Sequence, residues 1–302
     1  MTLKQYVLLS QMEYATTSFF PGFMGILYAW YNYETFHLGF SLLGLLTVGL
    51  FQLAISLRDN YLDYYVAENK QADSAQKMIL GKEKIPLKNV RSAYYLTGAI
   101  ALIIGLFLVL QTSFFLLYIL LGGMLIGVLY TFGPIPISST PFGDFFIGLV
   151  YGFGIFTALF YVNAFNVISF DWLTIIKLII ASIPTAITVM SVSLANNICD
   201  LEEDIEDGRF TLPYHIGIDK ALVVFKSLYY AGYIAIILSI VFGTFPRFVT
   251  LSLLTFPYIS KNIRIFMNKQ DKETTFLTTI YNSLVIPIPL ILTFFIGAWL
   301  GI

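Results

Sequence analysis

Apolar residues run along this chain in long blocks separated by shorter polar stretches. Nine blocks stand near 14–32, 39–57, 92–110, 113–132, 143–165, 172–195, 221–242, 246–266 and 280–301. A helix needs about 20 apolar residues to cross a hydrocarbon core of roughly 30 Å, so each block predicts a membrane-spanning helix. Glycine and proline inside the blocks (Pro21, Gly22, Gly122, Gly123, Pro184, Pro257, Pro287, Pro289) would weaken a soluble helix. In a membrane, close packing and neighbouring groups compensate for them. The first block is too long and too poorly flanked for a cleavable signal peptide. The eighth is the weakest of the set. The pattern predicts an all-α polytopic membrane protein in which residues 1–302 form a single domain.

Composition agrees. Of 302 residues, 58% are hydrophobic and 12% charged, where a soluble domain carries roughly 25% charge. Mean hydropathy is +0.80. These values exclude a soluble enzyme and a disordered chain, and a net charge of -1 supplies no basic footprint for nucleic acid. The single cysteine, Cys199, excludes a disulfide framework and a multi-cysteine metal site.

Basic residues divide sharply when alternate connections are placed on opposite sides of the nine blocks. One side holds Lys4, Arg58, Lys70, Lys77, Lys82, Lys84, Lys88, Arg91, Arg209, Lys220, Lys226, Lys261, Arg264, Lys269 and Lys272, 15 of the 17. The other keeps Lys177 and Arg247. The excess of positive charge assigns the first side, with the N-terminus, to the cytoplasm of a multi-pass cell-membrane protein, and the C-terminus to the outside. An even number of spans would break the segregation.

The acidic residues gather in two of the predicted cytoplasmic loops, 58–91 and 196–220. The first opens Arg58-Asp59-Asn60-Tyr61-Leu62-Asp63, the second Asn196-Asn197-Ile198-Cys199-Asp200-Leu201-Glu202-Glu203-Asp204. Asp200 and Asp204 are four residues apart, as are Asp59 and Asp63, a spacing that stacks both pairs on one helix face. Asn60 precedes Asp63 by three, as Asn197 precedes Asp200, and the two pairs are offset by 137 residues, a faint sign of internal duplication. Stacked carboxylates repel one another where a helix enters lipid. Oxygen-only clusters without histidine or cysteine suit a hard cation such as Mg2+, whose open coordination positions would hold a diphosphate. The alternative is a pair of solvated helix ends with incidental charge.

These motifs, with the stretches between them, resemble the UbiA superfamily of intramembrane prenyltransferases, and most closely its 1,4-dihydroxy-2-naphthoate branch. The strongest match is Leu194 to Asp204, continuing through Gly208-Arg209-Phe210-Thr211-Leu212-Pro213 to Gly217. Leu129-Tyr130-Thr131-Phe132-Gly133-Pro134-Ile135-Pro136 is similar to the naphthoate branch, where the hydroxybenzoate branch shows a basic pair. Gly143-Asp144-Phe145-Phe146, Gly152-Phe153-Gly154 and Phe160-Tyr161-Val162-Asn163 fit the same branch. The first motif departs from the family's Asn-Asp-x-x-Asp-x-x-x-Asp, with the leading pair transposed and Ala67 in place of the last aspartate. Glu68 is rotated by about 100° from that position on a helix. Glu13 stands where relatives generally have a basic residue.

The resemblance implies nine helices around a central cavity and a Mg2+-dependent reaction. A polyprenyl diphosphate would dock its headgroup on metal held by the aspartate motifs, its tail among apolar side chains, and alkylate an aromatic quinone precursor. The partners implied are the polyprenyl diphosphate, the aromatic acceptor and membrane lipid; no protein partner is inferred. Asp63, Asp200 and Asp204 are the expected catalytic metal ligands, with Asp59 beside them. Asn60, Asn196 and Asn197 are expected ligands or hydrogen-bond partners. Lys82, Lys84, Lys88 and Arg209 are candidates for the diphosphate oxygens; the alternative for each is an ordinary cytoplasmic-side cation. Tyr130, then Tyr61, Tyr64 and Tyr161, are candidates to face an allylic cation. Asp144 is a candidate for acceptor contacts, or an ordinary acidic helix N-terminus.

His37 and His215 read as loop residues and Cys199 as packing. On the residues alone two other classes stay open: a transporter, suggested by the faint repeat but short of ionisable groups at mid-span, and a prenyl-binding relative that has lost activity. Hydroxybenzoate, homogentisate-like phenols or a lipid-type molecule stay open as acceptor.

Overall fold

The computed structural model describes residues 1–10, 12–69 and 74–302, and the side chains of 12–16 and 74, including Glu13, lie outside that description. The regular elements among the described residues are all helical, with no strand among them. In chain order the α-helices are α1 Leu3–Ser10, α2 Met12–Tyr33, α3 Leu38–Asn69, α4 Ser74–Lys77, α5 Ile79–Lys82, α6 Leu87–Gln111, α7 Phe114–Thr131, α8 Gly143–Ile147 and α9 Ile155–Ala164. They continue with α10 Trp172–Cys199, α11 Leu201–Glu206, α12 Leu212–Ile216, α13 Ile218–Val241, α14 Phe256–Asn268, α15 Leu277–Val285 and α16 Pro287–Leu300.

Among the described residues, seven helical stretches are long and apolar enough to cross a membrane: α3, α6, α7, Gly143–Ala164, α10, α13 and Leu277–Leu300. The other two of the nine apolar blocks take different forms. The first lies on α2. The eighth is divided into a 3-10 stretch, Arg247–Thr255, and α14. Pro246 precedes the 3-10 stretch and Pro257 sits in the first turn of α14. A proline without an N–H is tolerated in a first turn but interrupts a continuous ladder, so the block divides there.

The chain forms two compact units: Met1–Phe19 with Leu38–Gln111, and Phe20–His37 with Thr112–Ile302. In the first, α3 lies along α6, and Leu9, Leu57, Leu80, Ile85 and Val90 make a small core. Tyr6 bonds Thr97 at 2.9 Å, tying α1 to α6. In the second, α10 lies along α13 within a larger core that includes Tyr28, Phe156, Phe160, Leu194, Phe225, Tyr229, Phe266 and Phe294.

One contact in the second unit bears directly on the site. Between α8 and α9 the backbone widens into a π-helical stretch, Gly148–Gly154, which packs on α10. A Cβ on Gly152 would lie 2.3 Å from the Ala186 Cα, and one on Gly148 would lie 2.3 Å from the Met190 Cγ. Two glycines four apart thus let the backbones approach as no larger residue would allow. One turn earlier on the same side stands Asp144.

Candidate active site

α10 stops at Cys199, and Asp200 leaves helical geometry at φ -96°, ψ 12° before the six-residue α11 begins. Gly208, with φ +74°, ends α11 in the left-handed region that glycine adopts without penalty. The chain therefore doubles back: the Arg209 N–H donates to the Asp204 carbonyl at 2.7 Å, and the Arg209 Nη1 reaches Asp204 Oδ1 at 3.0 Å. Thr211 Oγ1 donates to Asp204 Oδ2 at 3.2 Å. Asp204 is only 3% exposed. Burial pushes its carboxyl above the ordinary carboxylate range, while the Arg209 charge and the Thr211 hydroxyl pull the other way.

Asp200 is met from two directions. Asn196 Nδ2 donates to Asp200 Oδ2 at 2.9 Å, and the Lys272 ammonium donates to the same oxygen at 2.5 Å. Lys272 also donates to Asn196 Oδ1. Asp200 and Asp204 are thus each paired with a cation arriving from a loop.

Asp144 belongs to the same cluster. It is buried, and its Oδ1 accepts from Ser193 Oγ at 2.6 Å and Asn197 Nδ2 at 2.8 Å. Its Oδ2 is buried with no hydrogen-bond partner among the described residues. Asp204 and Arg209 are near enough to act on it electrostatically. The Phe210 N–H donates to the Ser139 carbonyl at 3.1 Å, which ties the motif to the turn preceding α8. Asn196 and Asn197 therefore have separate tasks: the first serves the half-buried Asp200, the second anchors the buried Asp144.

Sequence reasoning placed Asp200, Asp204, Asn196, Asn197, Arg209 and Asp144 in the site, and the structure brings them together. It missed Ser193, Thr211 and above all Lys272. Lys272 lies 72 residues beyond Asp200 with no motif around it.

The first motif lies on α3 in the other unit. Asp59 is half-buried beside Arg58, whose Nη1 is 4.0 Å away, and Asp63 is exposed. Asn60 Nδ2 donates to the Leu9 and Ser56 carbonyls at 3.1 Å each, so this amide ties α3 to α1. Ala67, where the family has its last aspartate, is buried, whereas Glu68 is exposed and accepts from the Tyr64 hydroxyl at 3.4 Å. Lys84, in the left-handed region at φ +48°, lines a cleft of about 310 Å³ with Tyr64 and Glu68. Lys82 stands in the last turn of α5, one residue past Gly81 on the cleft wall.

Among the tyrosines, Tyr61 packs against Tyr94 and Tyr65. Tyr130 is half-buried in the last turn of α7, the end that meets the turn Ile137–Ser139. Tyr161 bonds Ser113, at the opposite end of α7, and stacks on Phe170. At 1.5 Å per residue the 18-residue α7 separates those ends by about 27 Å. Tyr161 is therefore a packing residue, distant from the carboxylates.

The model of the UbiA prenyltransferase family matches residues 18–284. The chain belongs to that family. It is 28% identical over 294 residues to the 1,4-dihydroxy-2-naphthoate octaprenyltransferase of Bacillus subtilis (strain 168), covering 93% of this chain and 90% of the relative. Its fold is similar to that of a UbiA homolog from Aeropyrum pernix K1, with a TM-score of 0.72 at 15% identity over 93% of this chain and 98% of the other. A UbiA homolog from Archaeoglobus fulgidus bound to GPP and Mg2+ superposes with a TM-score of 0.60 at 16% identity, covering 98% and 99%. This UbiA family member is accordingly a multi-pass membrane prenyltransferase.

The donor set fits a hard divalent ion. Among the described residues no three His, Cys, Asp or Glu side chains group closely enough to form a metal cage. Mg2+ does not require one, because it commonly keeps several waters and binds through one or two carboxylates plus substrate phosphates. Asp200, whose contacts among the described residues all fall on Oδ2, and Asp204, held beside Arg209, supply oxygens of the right kind, with the buried unpartnered Asp144 Oδ2 in the same cluster.

Proposed function

We propose that this UbiA family member transfers a polyprenyl group from a polyprenyl diphosphate to 1,4-dihydroxy-2-naphthoate, in a Mg2+-dependent step of menaquinone biosynthesis. The observation that carries it is the paired arrangement of Asp200 with Lys272 and Asp204 with Arg209, a seat of matched charges suited to a metal-bound polyanion. The acceptor rests on the likeness of 129–163 and 194–217 to the naphthoate branch, and on the relative that bears that name.

Asp200, Asp204 and Asn196 would hold an ion, and the first motif assigns Asp63 and Asp59 to a metal of their own unit. Bound Mg2+ supplies positive charge that stabilises the departing diphosphate. The chain's own part is to orient and neutralise. Arg209 offers a planar, permanently charged donor group beside Asp204 for the diphosphate oxygens. Asn197, bonded to Asp144, fixes the rotation of the last turn of α10 and so the bearing of Asn196 and Asp200. Lys82 and Lys84 are assigned to diphosphate oxygens, and Tyr130 presents an aromatic face to the allylic cation left when the C–O bond of the donor breaks. A ring carbon of the acceptor supplies the electron pair for the new C–C bond, and the ring carboxylate departs as carbon dioxide. The segregated basic residues support a cytoplasmic N-terminus and motif loops, with the C-terminus outside.

Purified protein assayed with a panel of aromatic acceptors and polyprenyl diphosphates, with and without Mg2+, tests this. Prenylated naphthoate formed only with Mg2+ is the expected result. Product from another acceptor alone would overturn the naphthoate assignment, and absence of diphosphate release with every acceptor would overturn the proposed reaction.

A further inference from the structure

The shortest ion pair of the second motif is made by a residue that no part of either aspartate motif contains. We propose that Lys272 is the resident counter-ion of the metal-free protein: its ammonium occupies the seat formed by Asp200 and Asn196, and a divalent ion must displace it to bind. This deepens the metal-dependent reading above and rests on it.

The seat has three sides. Lys272 Nζ donates to Asp200 Oδ2 and to Asn196 Oδ1, and lies 5.1 Å from the centre of the Phe276 ring. A hard oxygen seat beside an aromatic face suits an ammonium as readily as a metal ion. A divalent ion sharing those oxygens would stand close to a like charge, so ammonium and metal compete for the seat.

The loop that presents Lys272 is built, unlike a lone solvated lysine on a cytoplasmic face. On one side Gln270 Nε2 donates to the Phe266 and Met267 carbonyls at 2.7 and 2.9 Å, closing the end of α14. On the other, Asp271 Oδ1 accepts from the Thr274 N–H at 2.9 Å and its hydroxyl at 2.6 Å, while Lys269 pairs with Asp271 at 2.9 Å. The Thr274 and Lys269 contacts hold the Asp271 carboxyl at about 2, well below the ordinary carboxylate range, so this brace stays charged. The backbone on both sides of Lys272 is thereby fixed, and the side chain is delivered to Asp200 by design of the turn.

The test uses the full chain in detergent with Mn2+ as probe, counting free ion by its electron paramagnetic resonance signal, and without any donor. Removing a resident competitor raises apparent affinity by the reciprocal of the fraction of seats it left open, so with about nine seats in ten held, Lys272→Met and Lys272→Gln should each bind Mn2+ about tenfold more tightly than wild type. Lys272→Arg, which keeps the charge, should stay near wild type. In EDTA, Lys272→Met should unfold at a lower temperature than wild type, and Mn2+ should erase the difference. Equal or weaker Mn2+ binding by whichever of the Met and Gln variants fold overturns the proposal while leaving the metal-dependent reading intact. Failure of wild type to bind Mn2+, or binding that Asp200→Asn does not reduce, overturns both.

Discussion

The two acidic motifs are built on opposite plans. The first rides on α3, an unbroken helix of 32 residues, where the direction of each side chain follows from its place in the turn. Asp63 is thereby exposed, Ala67 buried, and Asn60 committed to the Leu9 and Ser56 carbonyls. The second sits where the helix breaks at Asp200 and the chain turns at Gly208. That break lets Arg209 fold back on Asp204 and leaves room for Lys272 on Asp200. A carboxylate on a straight helix meets its neighbours three and four residues away; one at a break meets whatever the tertiary structure delivers.

This contrast makes the second motif the more sensitive. Asp200→Ala or Asp204→Ala should lower prenyl transfer by roughly 10²–10³-fold, the scale for loss of a charge-stabilising group, measured as labelled product from protein that still elutes as a folded species in detergent. Asp59→Ala should cost about tenfold or less, one preorganised interaction of about 1.4 kcal/mol or under. Equal losses at Asp59 and Asp200 would erase the distinction.

The second plan also depends on close backbone approach. Gly152→Leu places atoms where the Ala186 backbone stands, so the α8 stretch must shift from α10 and separate Asp144 from Asn197. We expect a stability loss of about 3 kcal/mol from overpacking, seen as a lowered thermal midpoint, together with weakened Mn2+ binding. Unchanged Mn2+ binding would show that Asp144 does not orient the motif.

Restoring the missing aspartate tests the first plan. Ala67→Asp should destabilise by about 1–3 kcal/mol, because the position is buried and a polar group placed there lacks partners. Tighter Mn2+ binding by this variant without a loss in thermal midpoint would refute the orientation of α3. The smallest effect is expected from Asn60→Ala, about 1 kcal/mol, read in the same unfolding experiment. A large activity loss at unchanged stability would instead make Asn60 a ligand.

Much of the candidate site was legible in spacing. The i, i+4 spacing of Asp200 and Asp204 and the neighbouring asparagines marked the region, although Asp200 stands at the break between α10 and α11 and not on one continuous helix face. Asp144 was legible only as a residue in a familiar stretch; its bond to Asn197 depends on Gly148 and Gly152, whose importance lies in what they face on α10. Tyr161 stood in a matching stretch as well, yet its hydroxyl serves Ser113 at the other end of α7. The division of the block 246–266 was marked by Pro246 and Pro257, but hydropathy alone counts the block as continuous.

What the sequence by itself determined is the solvent and the class: long apolar blocks can satisfy their backbone groups in lipid only as helices, and acidic residues gathered in two polar stretches announce a cation-dependent chemistry. Only the tertiary structure decided which charges meet. Lys272 reaches Asp200 across 72 residues because the loop between α14 and α15 is held by its own hydrogen bonds. Local spacing constrains neighbours along a helix, whereas a partner that far along the chain is set by packing and turn geometry.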